Sequence, residues 1–137
     1  MFASLLAILA GSLLLTPSHA QEGILPPCPN APHCVSSLAS TERHSIAPLQ
    51  TNGTVNQARD QIAHILDGLP RVSYEKVDER RIEAVFTTRL MRFKDDVSFY
   101  IHDNGRIDVR SSSRIGYADF GANRRRVEMI RDQLQSL

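Results

Sequence analysis

The stretch RIDVRSSSRIGYADFGANRRR, residues 106–126, decides how the rest of this 137-residue chain is arranged. It begins with the alternating apolar and polar side chains of a strand, continues through three serines between two arginines, and ends in three consecutive arginines. Strands alternate with period two and helices with period 3.6, so the change of pattern predicts a strand followed by a helix. The stretch holds six of the chain's 14 arginines, which makes it the main candidate surface for an anion.

The segment before this stretch predicts the partner strand and its register. Apolar residues alternate with polar ones in both strands, Phe99 and Ile101 in the first, Ile107 and Val109 in the second. A two-residue Asn-Gly turn would set apolar residues opposite charged ones. A three-residue loop with Gly105 in the left-handed conformation pairs Ile101 with Ile107 instead. A one-residue slip moves every side chain to the other face, so we expect the second register.

This register divides the stretch between two faces of the sheet. The polar face is predicted to carry three cross-strand pairs, Ser98 with Arg110, Tyr100 with Asp108, and His102 with Arg106. Continued alternation places Ser111, Ser113 and Ile115 on the core side and Ser112 and Arg114 on the polar side.

Two helices are predicted to flank the strands. Thr54 and Gln57 form a capping-box pattern at the start of the first, and Gly68 with Pro70 ends it. Its apolar residues fall on one face: Val55, Ala58, Ile62, Ile65, Leu66 and Leu69. The second spans about 121–135 with Asp119 as its cap, and its apolar stripe is Val127, Ile130, Leu134 and Leu137.

Two further strands complete the predicted fold. Val72 and Tyr74 alternate in the first, and the second carries Ile82, Ala84, Phe86, Thr88 and Leu90, with a turn near Asp78-Glu79. The order of elements favours a single α+β domain over residues 53–137. We expect an antiparallel sheet of about four strands with both helices packed on one face.

The N-terminal part of the chain predicts export. Residues 1–20 have the apolar run and small-residue cleavage site of a signal peptide, so the protein is expected to be periplasmic or secreted, with no spanning helix after cleavage. Cys28 and Cys34 are then expected to form a disulfide. Residues 21–52, rich in proline, are predicted to form an extended and mostly irregular arm with this cysteine hook.

Composition limits the classes of partner. The formal net charge of +1 makes nucleic acid a poor partner for an exported chain. The Cys/His spacing is not that of a common zinc motif, so no metal and no cofactor is expected. A monomer is favoured.

Three segments resemble a known family. They are CPNAPHCVSS (28–37), RFKDDV (92–97), and the opening stretch from Ile107 onward. The chain resembles the domain-of-unknown-function 1499 (DUF1499) family, from about Cys28 to Leu134. That family often has Asn where this chain has His33, a difference confined to the loop between the cysteines. The resemblance implies a commonly exported or membrane-associated protein and no established activity.

Residues 106–126, together with Asp95 and Asp96, are called the motif below. Three interpretations of the motif remain open at this point. It can be a structural ion-pair network of Asp95, Asp96, Asp108 and Asp119 with arginines. It can be a surface for an anionic small molecule or lipid head group, formed by Arg110, Ser112, Arg114, Asn123, Arg124 and Arg125. The alternative is a hydrolase-like or metal-dependent enzyme using Ser/Asp residues of 95–119. A serine-hydrolase triad is disfavoured because His102 and Ser112 lie far apart along their strands. No catalytic residue is assigned.

Overall fold

The computed structural model describes residues 24–116 and 119–137, so the predicted signal peptide lies outside the described residues. The strands are β1 (Cys34–Ser36), β2 (Leu49–Gln50), β3 (Val72–Lys76), β4 (Arg81–Thr87), β5 (Lys94–Ile101) and β6 (Arg106–Ser113). The helices are α1 (Val55–Asp67) and α2 (Ala122–Gln135). The α+β class is confirmed.

The sheet has six strands in the order β1-β6-β5-β4-β3, with β2 also paired to β6, and every pairing is antiparallel. The expectation of about four strands was therefore too low. The two additional strands come from the proline-rich arm, where they lie end to end along the free edge of β6. Each is only two or three residues long, so neither has an alternation that the sequence could reveal.

The predicted β5–β6 register is confirmed. Ile101 pairs with Ile107 and Phe99 with Val109. Gly105 has a φ of 84°, which is the left-handed conformation that the three-residue loop requires. Its carbonyl also accepts a hydrogen bond from the Thr51 amide at 2.9 Å, so this turn anchors the end of the arm as well as the hairpin.

Both helices pack on one face of the sheet and bury a single core. The capping box at Thr54 is present, and the α1 residues Ala58, Ile62, Ile65 and Leu66 are buried as predicted. Val127, Ile130 and Leu134 of α2 join them. Leu137 does not, because α2 ends at Gln135 and leaves that side chain 59% exposed.

The prediction was also wrong at the end of β4. The alternation that was extended to Thr88 and Leu90 stops at Thr87, where the chain turns toward β5. Leu90 is 86% exposed as a result. Ile115 is 43% exposed and does not lie in the core, because β6 ends two residues earlier.

The first part of the N-terminal arm crosses the face of the sheet opposite the helices. Residues 24–30, here called the strap, are fixed by the Cys28–Cys34 disulfide, which confirms the predicted bridge. The guanidinium of Arg81 donates to the carbonyl of Ile24. Leu25 is buried beneath the strap with 8% of its surface exposed, so this part of the polar face is covered by protein rather than by water.

Within the described parts of the chain, neither helix is long and apolar enough to cross a membrane.

Candidate functional site

The motif is divided between the two faces of the sheet by strand alternation. Asp95 lies on the helix side and Asp96 on the strap side, as expected for neighbouring residues of β5. Ser111 and Ser113 of β6 face the helices, where both hydrogen-bond to Asn123. The motif therefore forms two clusters that are separated by the sheet.

Asn123 is the centre of the helix-side cluster. It is fully buried, although it was predicted as a ligand-binding residue. Its side-chain oxygen accepts from the Ser111 hydroxyl at 2.7 Å and from the Arg126 guanidinium at 2.8 Å. Its amide nitrogen donates to the His33 carbonyl at 3.0 Å and the Ser113 hydroxyl at 2.9 Å. One side chain thus joins the arm, β6 and α2.

Arg126 completes this cluster. It forms an ion pair with Asp95, and both side chains are almost completely buried, at 11% and 3% exposed. The same guanidinium donates to Ser111 and lies 4.9 Å from the centre of the Phe86 ring. A buried charge pair needs such additional partners because both ions have lost their water.

Asp119 closes the turn into α2. Its carboxylate accepts from the backbone amides of Gly121 and Asn123 at 2.8 and 3.2 Å, and from the Asn123 side chain at 2.6 Å. Partial burial raises the pKa of Asp119, but these hydrogen bonds outweigh it and the net pKa is lowered. The residue at the N-cap position is Gly121, with a φ of 78°. Asp119 therefore caps the helix from two residues before that position.

The other two arginines of α2 bind backbone oxygens. Arg124 donates to the carbonyls of Ser45 at 2.9 Å and Arg43 at 3.3 Å, and so fixes the loop of the arm that follows β1. Arg125 donates to the carbonyl of Phe120. Both side chains remain exposed.

On the strap side, Asp108 is buried with 2% of its surface exposed. It accepts from Arg106 at 2.8 Å, from the Ser37 hydroxyl at 2.7 Å, and contacts Nε2 of His102 at 2.6 Å. Burial raises the pKa of Asp108, but the hydrogen bonds from Arg106, Ser37 and His102 together lower it below its usual value.

The order of these contacts argues against a serine-hydrolase triad. In a triad the imidazole lies between the serine and the carboxylate, because it must take the serine proton. Here the carboxylate of Asp108 lies between Ser37 and His102. The Ser37 hydroxyl also accepts a hydrogen bond from the Val109 amide at 2.9 Å, which ties it to β6.

Arg114 and Asp96 form an exposed bidentate pair. The two nitrogen–oxygen distances are 2.9 and 2.8 Å, and this pairing raises the pKa of Arg114. The guanidinium of Arg114 is thus occupied by an internal carboxylate, although the sequence placed it among the ligand-binding candidates.

Arg110 differs from the other motif arginines. It is half-buried beneath the strap and donates one long hydrogen bond, 3.3 Å, to the carbonyl of Pro27. Its Nε has no hydrogen-bond partner among the described residues. Burial lowers the pKa of Arg110, opposed by the charges of Asp96 and Glu83. Ser98 lies opposite it on β5 and Ser36 on β1.

The six candidate ligand-binding residues do not converge on one site. Arg110, Ser112 and Arg114 lie on the strap side, whereas the three candidates from α2 lie on the helix side or at its edge. The candidate acids are each bound internally: Asp95 to Arg126, Asp96 to Arg114, Asp108 to Arg106, and Asp119 to the start of α2.

Sequence reasoning missed Arg126 as the partner of a buried acid. A signal was available, since Arg126 follows Asn123 by three residues and precedes Val127, so it borders the buried face of the helix. Ser37 gave no such signal, because its role depends on β1 pairing with β6. Among the described residues, no group of three acidic, histidine or cysteine side chains is placed to hold a metal ion.

Comparison with protein families identifies the family of the chain. A model described as a protein of unknown function (DUF1499) matches residues 24–134, which include the strap, α1, the whole motif and all but the last residue of α2. Comparison with curated protein sequences gives no match. The chain belongs to the DUF1499 family.

Proposed function

We propose that this chain is an exported, non-enzymatic domain in which the Arg/Ser/Asp motif holds the fold together and Arg110 binds an anionic group of a small ligand. The observation that carries the proposal is the contrast in pairing. The acids of the motif are bound internally, and its other arginines bind acids or, for Arg124 and Arg125, backbone carbonyls. Arg110 has one long hydrogen bond, to the Pro27 carbonyl, and a buried Nε without a partner among the described residues.

Export is supported by the apolar leader in residues 1–20 and by the Cys28–Cys34 disulfide. Disulfides persist in oxidising compartments such as the periplasm and are rare in the cytosol. The intact mass of protein recovered from the periplasm tests this part. We expect the loss of residues 1–20 and of two hydrogens, and a full-length reduced mass would refute it.

Anion binding at Arg110 is supported by its incomplete hydrogen bonding. A guanidinium offers five donors, and a phosphate or carboxylate accepts two of them side by side. Pro27 supplies one neutral oxygen at 3.3 Å, which is a weak partner for a buried cation. An anion that replaced this carbonyl would lie on the face of the sheet that carries Ser112, two residues further along β6, whereas the Ser98 hydroxyl opposite Arg110 already donates to Glu83.

Thermal unfolding with inorganic phosphate, citrate and glycerol phosphate tests this site. Stabilisation grows with ligand concentration if the folded protein binds the anion, by about 2.7 kcal/mol at one hundred times the dissociation constant. Arg110→Ala is expected to abolish the shift. Arg114→Ala, which removes the same charge four residues further along the chain, is expected to keep it. No shift with any of the three anions, or equal shifts in both variants, would refute anion binding at Arg110.

A further inference from the structure

The end of the sheet next to the motif carries an apolar surface that the proposed anion site does not use. The loop between β4 and β5 reads TRLMRF over residues 88–93. Thr88 and Phe93 close it at the base, since the Thr88 amide donates to the Phe93 carbonyl and the Phe93 amide to the Thr88 hydroxyl, both at 2.8 Å. The loop therefore holds a defined shape that projects Leu90 and Met91, which are 86% and 68% exposed.

A second segment extends this surface. Phe93, Ile115 and Phe120 line one cleft of about 200 Å³ between the loop and the start of α2. Phe120 is 88% exposed, although a phenylalanine is usually at least half-buried. We call the five side chains Leu90, Met91, Phe93, Ile115 and Phe120 the apolar tip.

The backbone at the apolar tip is also strained. Three non-glycine residues among those described have positive φ, and two of them, Arg92 at 57° and Phe120 at 52°, lie in the two segments of the tip. Such conformations cost about 1–3 kcal/mol each and are retained where they orient functional side chains. Here they coincide with the three most exposed large apolar side chains among the described residues, those of Phe120, Leu90 and Met91.

Positive charge surrounds the apolar tip. Arg89, Arg92, Lys94 and Arg125 are exposed around it, and none of them has a carboxylate within ion-pair distance among the described residues. Two of the acids at this end form ion pairs, Asp95 with Arg126 and Asp96 with Arg114. Asp119 also lines the cleft, where its carboxylate accepts the amides at the start of α2. The end of the domain is therefore apolar at its centre and cationic at its rim.

We propose that the apolar tip docks this domain on the surface of an anionic phospholipid bilayer, with Leu90, Met91 and Phe120 inserted among the acyl chains and the cations on the lipid phosphates. Projecting apolar side chains between cations are what a bilayer interface accepts, since its apolar layer lies just below negatively charged head groups. A free anion would use the cations and leave the apolar side chains in water. This proposal goes beyond the anion site at Arg110 and does not depend on it.

Sedimentation with vesicles of phosphatidylcholine, with and without phosphatidylglycerol, measures the binding. We expect at least tenfold stronger partitioning into the anionic vesicles, and weakening as salt rises. Arg89→Glu with Arg92→Glu is expected to lower the partition coefficient at least tenfold, because each cation near the surface contributes about a factor of five. Arg43→Glu, an exposed arginine outside the tip, is the charge control.

Leu90→Ser with Met91→Ser tests the apolar contribution. We expect a loss of at least tenfold in partitioning, because two inserted side chains return to water. Leu38→Ser with Val77→Ser, which are 47% and 48% exposed outside the tip, should bind as the unchanged protein does. All four residues are exposed, at 47–86% of their surface, so unchanged thermal unfolding of each variant verifies that the comparison concerns binding.

Insertion can be observed directly, because the chain contains no tryptophan. Leu90→Trp provides a single tryptophan, and its emission should shift to shorter wavelength when anionic vesicles are added. Val77→Trp should not shift.

Three results would overturn membrane docking. They are equal binding to neutral and anionic vesicles, unchanged binding of the tip variants, and a dimer in solution that Leu90→Ser with Met91→Ser converts to a monomer without any vesicle binding. Arg110→Ala should leave vesicle binding unchanged while it abolishes the phosphate shift, so failure of one proposal is distinguishable from failure of the other.

Discussion

Replacing Asn123 by alanine should be the most damaging single change in the motif. The side chain is fully buried and has five hydrogen-bonding partners: Ser111 and Arg126 donate to its oxygen, and its two N–H groups are shared among His33, Ser113 and Asp119. A typical hydrogen bond contributes about 0.5–1.5 kcal/mol net, and a buried partner left without one costs about 1–3 kcal/mol. These values are not additive, so we expect a total loss of about 3–5 kcal/mol.

Urea unfolding followed by circular dichroism measures this loss. For a domain of about 100 residues it corresponds to a fall in Tm of about 10–20 °C. Asn56→Ala, an exposed asparagine in the first turn of α1, is the matched control and should change stability by less than about 0.5 kcal/mol. If the free energy of unfolding of Asn123→Ala stayed within about 1 kcal/mol of that of the unchanged protein, the packing of the arm, the sheet and α2 against one another would not depend on this residue.

Asn123→Asp keeps the shape of the side chain and removes its hydrogen-bond donor, so it tests the donor. The variant keeps the oxygen that accepts from Ser111 and Arg126, but it removes the donor that faces His33 and Ser113. It also sets a second carboxylate against Asp119, where the present nitrogen–oxygen distance is 2.6 Å. We therefore expect it to destabilise the fold at neutral pH at least as strongly as alanine does.

Three further predictions concern other parts of the fold. The folded-state pKa of Asp108 is lowered, because its hydrogen bonds outweigh its burial, so its contribution is present above about pH 4 and is lost as pH falls through the lowered pKa. Asp108→Asn should cost about 1–3 kcal/mol at pH 7 and progressively less below pH 4 in urea titrations, and a cost independent of pH would contradict this. Gly105→Ala should cost about 2–4 kcal/mol, because the residue has a φ of 84° and its Cβ would lie 2.1 Å from a backbone oxygen, whereas Gly68→Ala meets only ordinary contacts and should be near neutral. Replacing Cys28 and Cys34 together by serine should cost about 2 kcal/mol by chain entropy, and an unchanged denaturation midpoint would refute that contribution.

The hairpin and the helices could be predicted because local rules determine them. The choice between two registers at Gly105 depended on one constraint, the pairing of Ile101 with Ile107, and any other register exposes the core. The start of α1 followed from Thr54 and Gln57, whose reciprocal bonds are made within four residues of chain.

The edge strands and the ion-pair partners could not be predicted in the same way. β1 and β2 are defined by pairing with β6, from which they are separated by more than 50 residues, and their own sequences are too short to alternate. Helical spacing sets Arg126 next to the buried Val127, but this position was missed from the sequence, and nothing local specifies Asp95 as its partner. Strand alternation predicted the faces of Asp95 and Asp96, while the long-range packing determines which ion pairs form.

The separation of the motif into two clusters follows from one local fact. Adjacent residues in a strand point to opposite faces, so Asp95 and Asp96 cannot serve one site. The same alternation sends Ser111 toward Asn123 and leaves Arg110 beneath the strap. The stretch 106–126 is continuous in sequence, but its side chains form two separate clusters in the fold, one on each face of the sheet.

A double-mutant cycle on Asp95 and Arg126 tests most directly the claim that the motif stabilises the fold by fixing α2 to the sheet. Asp95→Asn and Arg126→Met keep the side-chain volumes, and each removes one member of the buried pair. We expect each single variant to lose about 3–5 kcal/mol, because it leaves an uncompensated buried charge, and the double variant to lose at least about 1.5 kcal/mol less than the sum. Additive losses, or single variants as stable as the unchanged protein, would contradict the structural role of the motif.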